Sequence, residues 1–373
     1  MQNDSSQSSL LNLINKNDFD ALAKKYQIDK WIRTFSTWEM TQVLIASFIQ
    51  RTESFREIES TFGVSDSTLG DALRVRDPRF FQDLCDMILL EIRAKTNDRQ
   101  TKKAIRMLLA IDSTDIKVHG SLFNVEGWKI RRSGEAHKAS AKLHLVWNVN
   151  DEWIDDFIIT PGRKNDSPVS LNLRLRSGAM YIFDRAYNDN DMWVNIVAAG
   201  SHFVTRLKDY PRYKMALMKI LQTSGDSVGV LHDGMFTNID PTYPSYRLVI
   251  FKDPQTQKVF LFVTSDFTIS PLEVAEIYKK RWAVELLFRW LKGHLNIRRL
   301  PTKNNNAIQI QLAVAVLVQL LLQLRKILTN YQGTLWTLLR KIRSAIAQIG
   351  IRACMPPPGC RWGKSAIHSR MLT

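Results

Sequence analysis

The sequence predicts a mixed α/β protein with an all-helical N-terminal domain over residues 1–98, an α/β domain over 104–300 and a basic helical region over 301–373. Helix-capping patterns dominate the first ninety-odd residues, whereas short apolar runs separated by turn residues, typical of strands, begin near residue 107. From Leu286 onward the chain has fourteen Lys and Arg residues and no Asp or Glu. The 373 residues are enough for two or three domains with a large buried core.

The N-terminal domain is predicted from its helix caps. Ser36 and Ser54 each stand three residues before a glutamate, the spacing of a capping box. Gly63 is expected to end the second of these helices, and the serines after it to begin a third. Two short helices joined by a glycine turn match the helix-turn-helix pattern, for which binding of DNA ends and simple helical packing are both open interpretations. A polar stretch over 93–103 is expected to form a linker.

The α/β domain is predicted from apolar runs bounded by Asn, Asp, Gly and Pro. The predicted strands cover 107–111, 144–149, 154–160, 181–183, 202–207, 247–251 and 259–264, with a helix over 191–199. Ser270 and Pro271 have the cap and first-turn pattern of a long helix. Because several strands precede this helix and no internal repeat is visible, we expect a mixed domain with a β-rich insertion at about 209–266.

Charge indicates the kind of partner. Lys and Arg number 52 and Asp and Glu 36, so the net charge is +16, and fourteen of these positive charges follow Leu286. A segment this basic repels itself unless a polyanion neutralises it, so nucleic acid is the favoured partner, with acidic lipid or plain solubility as the alternatives.

Other features exclude some classes of protein. Three widely spaced cysteines offer neither a disulfide framework nor a four-cysteine zinc site. The polar N-terminus does not have the pattern of a secretory signal, so we expect a cytoplasmic, nucleoid-associated protein. The apolar stretch over 307–324 is interrupted by four glutamines, which favours a buried helix over a membrane span.

Two aspartates follow apolar strands directly. Asp112 ends the run LLAI and Asp184 ends the run YIF, so each is expected at the carboxyl end of a buried strand, where open α/β sheets bind their ligands. Either one alone could be a simple turn cap. Asp115 is the main rival of Asp112, which we prefer because it directly follows the apolar run.

A third carboxylate, Glu285, lies within the predicted long helix. At helical spacing it shares one narrow stripe with three cations and a phenol. The members of this stripe are Tyr278, Arg281, Glu285, Arg289 and Lys292. Trp282 and the apolar residues that follow it face elsewhere and are expected to pack. Such a stripe suits a helix that supplies one metal ligand while its neighbouring cations hold phosphodiester oxygens.

Asp112, Asp184 and Glu285 together offer hard oxygen ligands, the kind that Mg²⁺ and Mn²⁺ prefer. Two such ions can activate a water or a 3′-hydroxyl and stabilise the leaving oxygen of a phosphodiester. The sequence therefore predicts metal-dependent phosphoryl transfer at these three residues.

The spacing Tyr278-x-x-Arg281-x-x-x-Glu285-x-x-x-x-x-x-Lys292 resembles the Tyr-Arg-Glu-Lys signature of bacterial insertion-sequence transposases of the IS-four family. The tracts IDSTDI and IFDRAYNDNDMWVNIVAAGSHFVTRLK resemble its first and second aspartate regions. The resemblance implies a ribonuclease-H-like catalytic domain with a β-rich insertion. It further implies that Asp112, Asp184 and Glu285 form a DDE triad and that Tyr278, Arg281 and Lys292 contact DNA near the cut.

These observations predict a DNA transposase that binds the terminal inverted repeats of its element, cleaves the DNA and transfers the strands to a target, acting as a homodimer in the synaptic complex. A DNA-binding protein that descends from a transposase and no longer cuts is the alternative, and a stand-alone nuclease is a third possibility. The complete triad disfavours the protein that no longer cuts, and a stand-alone nuclease would not need the basic C-terminal region or the N-terminal helices. A transposase acting on double-stranded DNA is therefore the leading prediction.

Overall fold

The computed structural model describes residues 10–100, 106–119, 122, 139–162, 164, 166–207, 229–237, 240–298, 300 and 302–354. Its N-terminal helices are α1 (Lys16–Tyr26), α2 (Thr37–Gln50), α3 (Phe55–Phe62), α4 (Asp66–Val75) and α5 (Pro78–Gln100). Ser36 forms the predicted capping box with Glu39 ahead of α2. Gly63 ends α3 in the left-handed conformation, with φ of 71°. The predicted pair of short helices with a glycine turn is thus present.

The predicted linker over 93–103 is wrong for residues 93–100, because α5 continues to Gln100. Its polar side chains are used in contacts that the sequence does not show. Arg93 pairs with the buried Asp155 carboxylate at 3.0 Å, and the Thr96 hydroxyl donates to the carbonyl of Ile92 at 2.9 Å. Residues 101–105 lie outside the described residues.

The strands of the described residues form an eight-stranded sheet in the order β3-β2-β1-β4-β5-β8-β7-β6. They are β1 (Leu108–Lys117), β2 (Ser140–Asn148), β3 (Trp153–Pro161), β4 (Met180–Phe183), β5 (His202–Arg206), β6 (Val230–Phe236), β7 (Tyr246–Lys252) and β8 (Val259–Thr264). β1, β4 and β5 pair in parallel, and the other neighbours are antiparallel. The predicted β-rich tract supplies β6, β7 and β8, which extend the same sheet beyond β5, while its residues 209–228 lie outside the described part.

Two helices cover opposite faces of the central parallel strands because side chains alternate along a strand. Two short segments precede these two helices in the chain, α6 (Asp166–Ser170) and a 3₁₀ turn (Arg185–Tyr187). Trp193 of α7 (Asn190–Ala198) packs on the face that contains Tyr181 and Phe203. Val274 of α8 (Pro271–Lys279) packs on the other face.

The predicted long helix is wrong in one respect, because it breaks after α8 and continues as α9 (Trp282–His294). Around the break, the backbone N–H groups of Arg281 and Val284 donate to the third residue before each, at 3.0 and 3.2 Å. This tight turn separates Tyr278, on α8, from Glu285, on α9, while Ser270 and Pro271 begin α8 as predicted.

α10 (Asn305–Leu328) confirms the prediction of a buried helix, since every residue from 310 to 324 is buried. By length and hydropathy it could cross a membrane, but it packs between α5 and β3. Its glutamines hold the turn between β2 and β3: the Gln319 and Gln323 amides donate to the carbonyls of Glu152 and Asp151 at 3.2 and 2.7 Å. α11 (Leu335–Cys354) follows, and the predicted tail after Met355 lies outside the described residues.

Candidate active site

Asp112 and Asp184 lie side by side where two parallel strands part. The parallel pairing of β1 with β4 ends at Ile111 opposite Phe183, so the two aspartates come next on neighbouring strands. The prediction that Asp112 ends its own strand is wrong, because β2 keeps β1 extended as far as Lys117. Asp112 instead lies level with the end of β4, the parallel neighbour of β1. Both carboxylates are therefore still found at the carboxyl end of the parallel strands.

Asp184 begins the 3₁₀ turn that follows β4. Its Oδ1 accepts a hydrogen bond from the backbone N–H of Ala186 at 2.8 Å, which fixes the carboxylate at the end of the strand. It is therefore a cap, as one of the two interpretations held, and it also faces Asp112 closely enough to act on the pKa of that residue.

Arg281 links Glu285 to Asp112. The Arg281 guanidinium donates from Nη1 to Asp112 Oδ2 at 3.2 Å and from Nη2 to Glu285 Oε1 at 2.6 Å. All three side chains are mostly buried. Arg281 Nε is also buried and has no hydrogen-bond partner among the described residues. One cation therefore balances two carboxylates that come from different elements.

Burial dominates the electrostatics of Asp112 and raises its pKa to about 6. The hydrogen bond from the Ser113 backbone and the charge of Arg281 lower this pKa, whereas the charges of Asp184 and Glu285 raise it. Asp112 therefore interacts electrostatically with both of the other carboxylates.

Asp115, the sequence rival of Asp112, has a different environment. It is exposed, lies on the opposite face of β1 and accepts a hydrogen bond from the Ser140 hydroxyl at 3.3 Å. The structure brings Asp112, rather than Asp115, to Asp184 and Glu285.

The other residues of the predicted stripe divide into two groups. The Lys292 ammonium donates to the Thr114 hydroxyl of β1 at 2.6 Å, and Tyr278 lies with its ring centroid 5.9 Å from the Arg281 guanidinium, so both belong to the site. Arg289 is exposed and lies 5.4 Å from the ring centroid of Trp282. The prediction that Trp282 packs in the core is wrong, because the helix break leaves its side chain 52% exposed.

The sequence did not reveal a polar cluster behind Asp112. The Ser113 hydroxyl donates to Asp166 Oδ1 at 2.7 Å, and the Lys142 ammonium lies 3.2 Å from the same oxygen. Asp166 precedes Ser and Pro, a pattern that indicates only a helix start. Ser113 lies 53 residues before Asp166, and a single sequence does not show that two such distant residues are in contact.

The carboxylates suit a divalent cation by the chemistry of their oxygens. In the part of the chain that the structure describes, no group of three His, Cys, Asp or Glu side chains is already arranged around a metal position. The Arg281 guanidinium instead supplies positive charge between Asp112 and Glu285. A divalent cation would balance the same charges, so the donor set fits such an ion.

The basic C-terminal helix α11 has both exposed and structural cations. Arg340 and Lys341 are exposed and lie over the rings of Trp336 and Tyr331. Arg343 is partly buried and donates to the carbonyls of Ile49, at the end of α2, and His294, at the end of α9. It caps two helix ends and so belongs to the packing of the helices.

A family model described as the transposase DDE domain matches residues 103–321, more than half of the chain and the whole of the site above. The chain belongs to this family. A second model, described as a domain of unknown function (DUF4372), matches residues 2–71. The DDE domain thus contains the eight strands that the structure describes and extends into α10.

Three proteins with similar sequences are named as transposases. A putative transposase of Sinorhizobium fredii is 33% identical over 233 residues, which are 61% of this chain and 63% of that protein. The probable transposase of insertion sequence element IS5377 from Geobacillus stearothermophilus is 26% identical over 299 residues, 78% and 77% of the two chains. A putative transposase of element IS4SA from Synechocystis is 45% identical over 75 residues, a fifth of each chain.

A solved structure shares the fold of this DDE chain. The piggyBac transposase in its synaptic complex with hairpin DNA aligns with a TM-score of 0.52 and 12% identity, over 96% of this chain and 84% of that one.

Proposed function

We propose that this protein is a DNA transposase that binds the terminal inverted repeats of its insertion sequence, cleaves the DNA there and joins the freed ends to a target. The observation that carries the proposal lies inside the region that matches the DDE domain: Arg281 joins Asp112 to Glu285, and Asp184 is close enough to Asp112 to act on its pKa. The transposase names of its relatives support the same conclusion.

The fold supports a ribonuclease-H-like catalytic domain over 104–300. Three antiparallel strands followed by two parallel ones, in the order β3-β2-β1-β4-β5, place two carboxylates at adjacent strand positions. The Tyr-Arg-Glu-Lys spacing supports membership of the IS-four family within the wider DDE group. We assign residues 1–98 to the binding of DNA ends and 301–373 to a basic region that contacts DNA.

Asp112, Asp184 and Glu285 would hold Mg²⁺ or Mn²⁺, which when bound activates the attacking hydroxyl and stabilises the leaving oxygen. The chain's own residues position the DNA. Arg281 and Lys292 both reach β1 from the α8–α9 segment, so both can donate to phosphate oxygens beside the carboxylates. Tyr278 borders Arg281, and exposed Arg289 can contact the backbone further out.

The proposal includes a homodimer in the synaptic complex and a cytoplasmic protein that acts on the bacterial nucleoid. A synaptic complex brings two element ends together, and two copies of the active site would process them. Mass measurement of the protein with and without paired end DNA tests this part.

The proposed activity is tested by incubation of the full chain and Mg²⁺ with labelled DNA that contains the element's own ends, followed by mapping of the cuts. We expect cuts at the element boundary and none with the Asp184→Asn variant. Specific binding of the ends without cleavage by the wild-type protein would favour the alternative of a DNA-binding protein that no longer cuts. Cleavage without preference for the ends would favour a nuclease.

A further inference from the structure

Behind the carboxylates, on the opposite face of β1 from Arg281, lies a polar cluster that the proposed chemistry does not use. It consists of Ser113, Lys142, His144, Asp166 and Tyr187. The cluster joins four elements: β1, β2, α6 and the 3₁₀ turn that follows Asp184. α6 packs directly against that turn.

Asp166 is the centre of this cluster. Its Oδ1 accepts a hydrogen bond from Ser113 Oγ at 2.7 Å, and Lys142 Nζ lies 3.2 Å from the same oxygen. His144 Nδ1 is 3.5 Å from it, but burial lowers the pKa of His144 to about 4, so the imidazole is neutral at pH 7. The negative charge of Asp166 is therefore balanced by Lys142, and its Oδ1 orients the Ser113 hydroxyl.

Ser113 connects Asp166 to the site. Its backbone N–H donates to Asp112 Oδ1 at 2.8 Å, while its side chain is held by Asp166 on the other face of the strand. Ser113 is therefore hydrogen-bonded to Asp166 through its side chain and to Asp112 through its backbone.

Tyr187 extends the cluster towards the second aspartate. It is the last residue of the 3₁₀ turn capped by Asp184, and its hydroxyl is buried. Burial raises its pKa well above the ordinary value, and the negative charge of Asp166 adds to this effect. Asp166 therefore lies close to the turn that Asp184 begins, as well as to Ser113.

We propose that Asp166 is a positioning residue for the DDE site: by holding Ser113 it fixes the Asp112 carboxylate in the orientation that divalent ions require. The proposal rests on the proposed function and adds to it a residue outside the triad. Partners that orient a metal ligand commonly contribute ten- to a hundred-fold to metal affinity or activity.

The test compares Asp166→Ala, Ser113→Ala and their double variant with the wild-type full chain. We expect each single variant to cleave end DNA about ten- to a hundred-fold more slowly, with unchanged affinity for the DNA. Because both residues belong to one link, the double variant should lose no more than the more severe single variant. Asp166→Asn keeps an oxygen that accepts from Ser113, so it should restore most of the rate.

Asp233→Asn is the matched control. Asp233, like Asp166, is a carboxylate paired with a cation, here Arg247 at 2.7 Å, but it lies on β6 at the far edge of the sheet from β1. Its substitution should leave the cleavage rate per folded molecule unchanged. Ser113→Ala removes a single hydroxyl, so it carries the test if Asp166→Ala does not fold.

A readout without cleavage separates this proposal from the proposed function. We expect the Mn²⁺ concentration that gives half of the maximal rise in melting temperature to be about ten-fold higher for Asp166→Ala than for the wild type. If the wild-type protein does not cleave, the proposed function fails, and the Mn²⁺ titration still decides the role of Asp166. An unchanged Mn²⁺ midpoint, or losses that multiply in the double variant, would overturn the proposal.

Discussion

The Arg281 guanidinium lies between Asp112 and Glu285, 3.2 Å from Oδ2 of the first and 2.6 Å from Oε1 of the second. These carboxylates come from β1 and α9, so this cation joins the sheet to the helix that follows the break. In the metal-free protein Arg281 therefore has a role in stability, in addition to the contact with DNA that we propose.

Arg281→Ala should lower the free energy of unfolding of the metal-free protein at pH 7 by about 1–3 kcal/mol, because two partly buried carboxylates lose their shared donor. Added Ca²⁺ should return part of this loss by supplying positive charge at the same oxygens. Denaturant unfolding in EDTA and in Ca²⁺ measures both effects. Arg289→Ala, a change at an exposed residue of α9, is the matched control and should change stability by less than about 0.5 kcal/mol.

Asp112→Asn should alter how stability depends on pH. The folded-state pKa of Asp112, about 6, lies above the ordinary value of 3.8, so its protonated form stabilises the fold below about pH 4 and this contribution is lost as the pH rises through 6. Asparagine does not ionise. The variant should therefore gain about 1–3 kcal/mol relative to the wild type between pH 4 and pH 7.

Melting temperatures of both proteins in EDTA across this pH range measure the change. If the variant instead lost stability relative to the wild type as the pH rose, the pair with Arg281 would outweigh the burial of Asp112.

The exposed cations of α11 should account for part of the affinity for any DNA sequence. Each cation that contacts a phosphate releases counterions, so replacing Arg340 and Lys341 by Gln should reduce the slope of log affinity against log salt by about 2. Binding isotherms on random DNA over a salt series give this slope. Arg343→Gln should chiefly lower the melting temperature, because its guanidinium caps α2 and α9. An unchanged slope in the double variant would show that those two cations do not contact DNA.

Substitutions in the triad should affect DNA cleavage but not DNA binding. Asp112→Asn, Asp184→Asn and Glu285→Gln each remove a carboxylate charge with little change in volume, so each should abolish cleavage and leave the binding of end DNA largely intact. Asp115→Asn is the neighbouring control and should remain active, since its side chain faces away from the site. Gel-shift and cleavage assays on the same DNA measure the two properties. An inactive Asp115→Asn with an active Asp112→Asn would reverse the assignment.

Local patterns in the sequence predict seven of the eight strands that the structure describes, but not β6, and they place an aspartate after each of two apolar runs. Ile111 and Phe183 end apolar runs that are visible along the chain, and an aspartate follows each. The sequence did not predict that β1 continues beyond Asp112, because the partner that keeps it extended, β2, comes more than twenty residues later.

Contacts between residues far apart in the sequence explain the other differences between the predictions and the structure. The stripe of α9 correctly placed Arg281 and Glu285 on one face, but it could not show that Asp112 lies opposite them. Arg343 belongs to the basic segment that is predicted to bind DNA. Its role as a cap depends on the ends of α2 and α9, which meet only in the folded structure. Asp166 was overlooked for the same reason, since it lies on α6 and its partners Ser113 and Lys142 lie on β1 and β2.

Strand transfer tests the central claim most directly. A DNA fragment with the element's end and a labelled 3′-hydroxyl is incubated with the full-length protein, Mg²⁺ and an unlabelled target plasmid. We expect label joined covalently to the plasmid with the wild-type protein and none with Glu285→Gln at equal occupancy of the end DNA. Absence of joined product with the wild type, or equal joining by Glu285→Gln, would contradict the assignment of a DDE transposase with Glu285 in its active site.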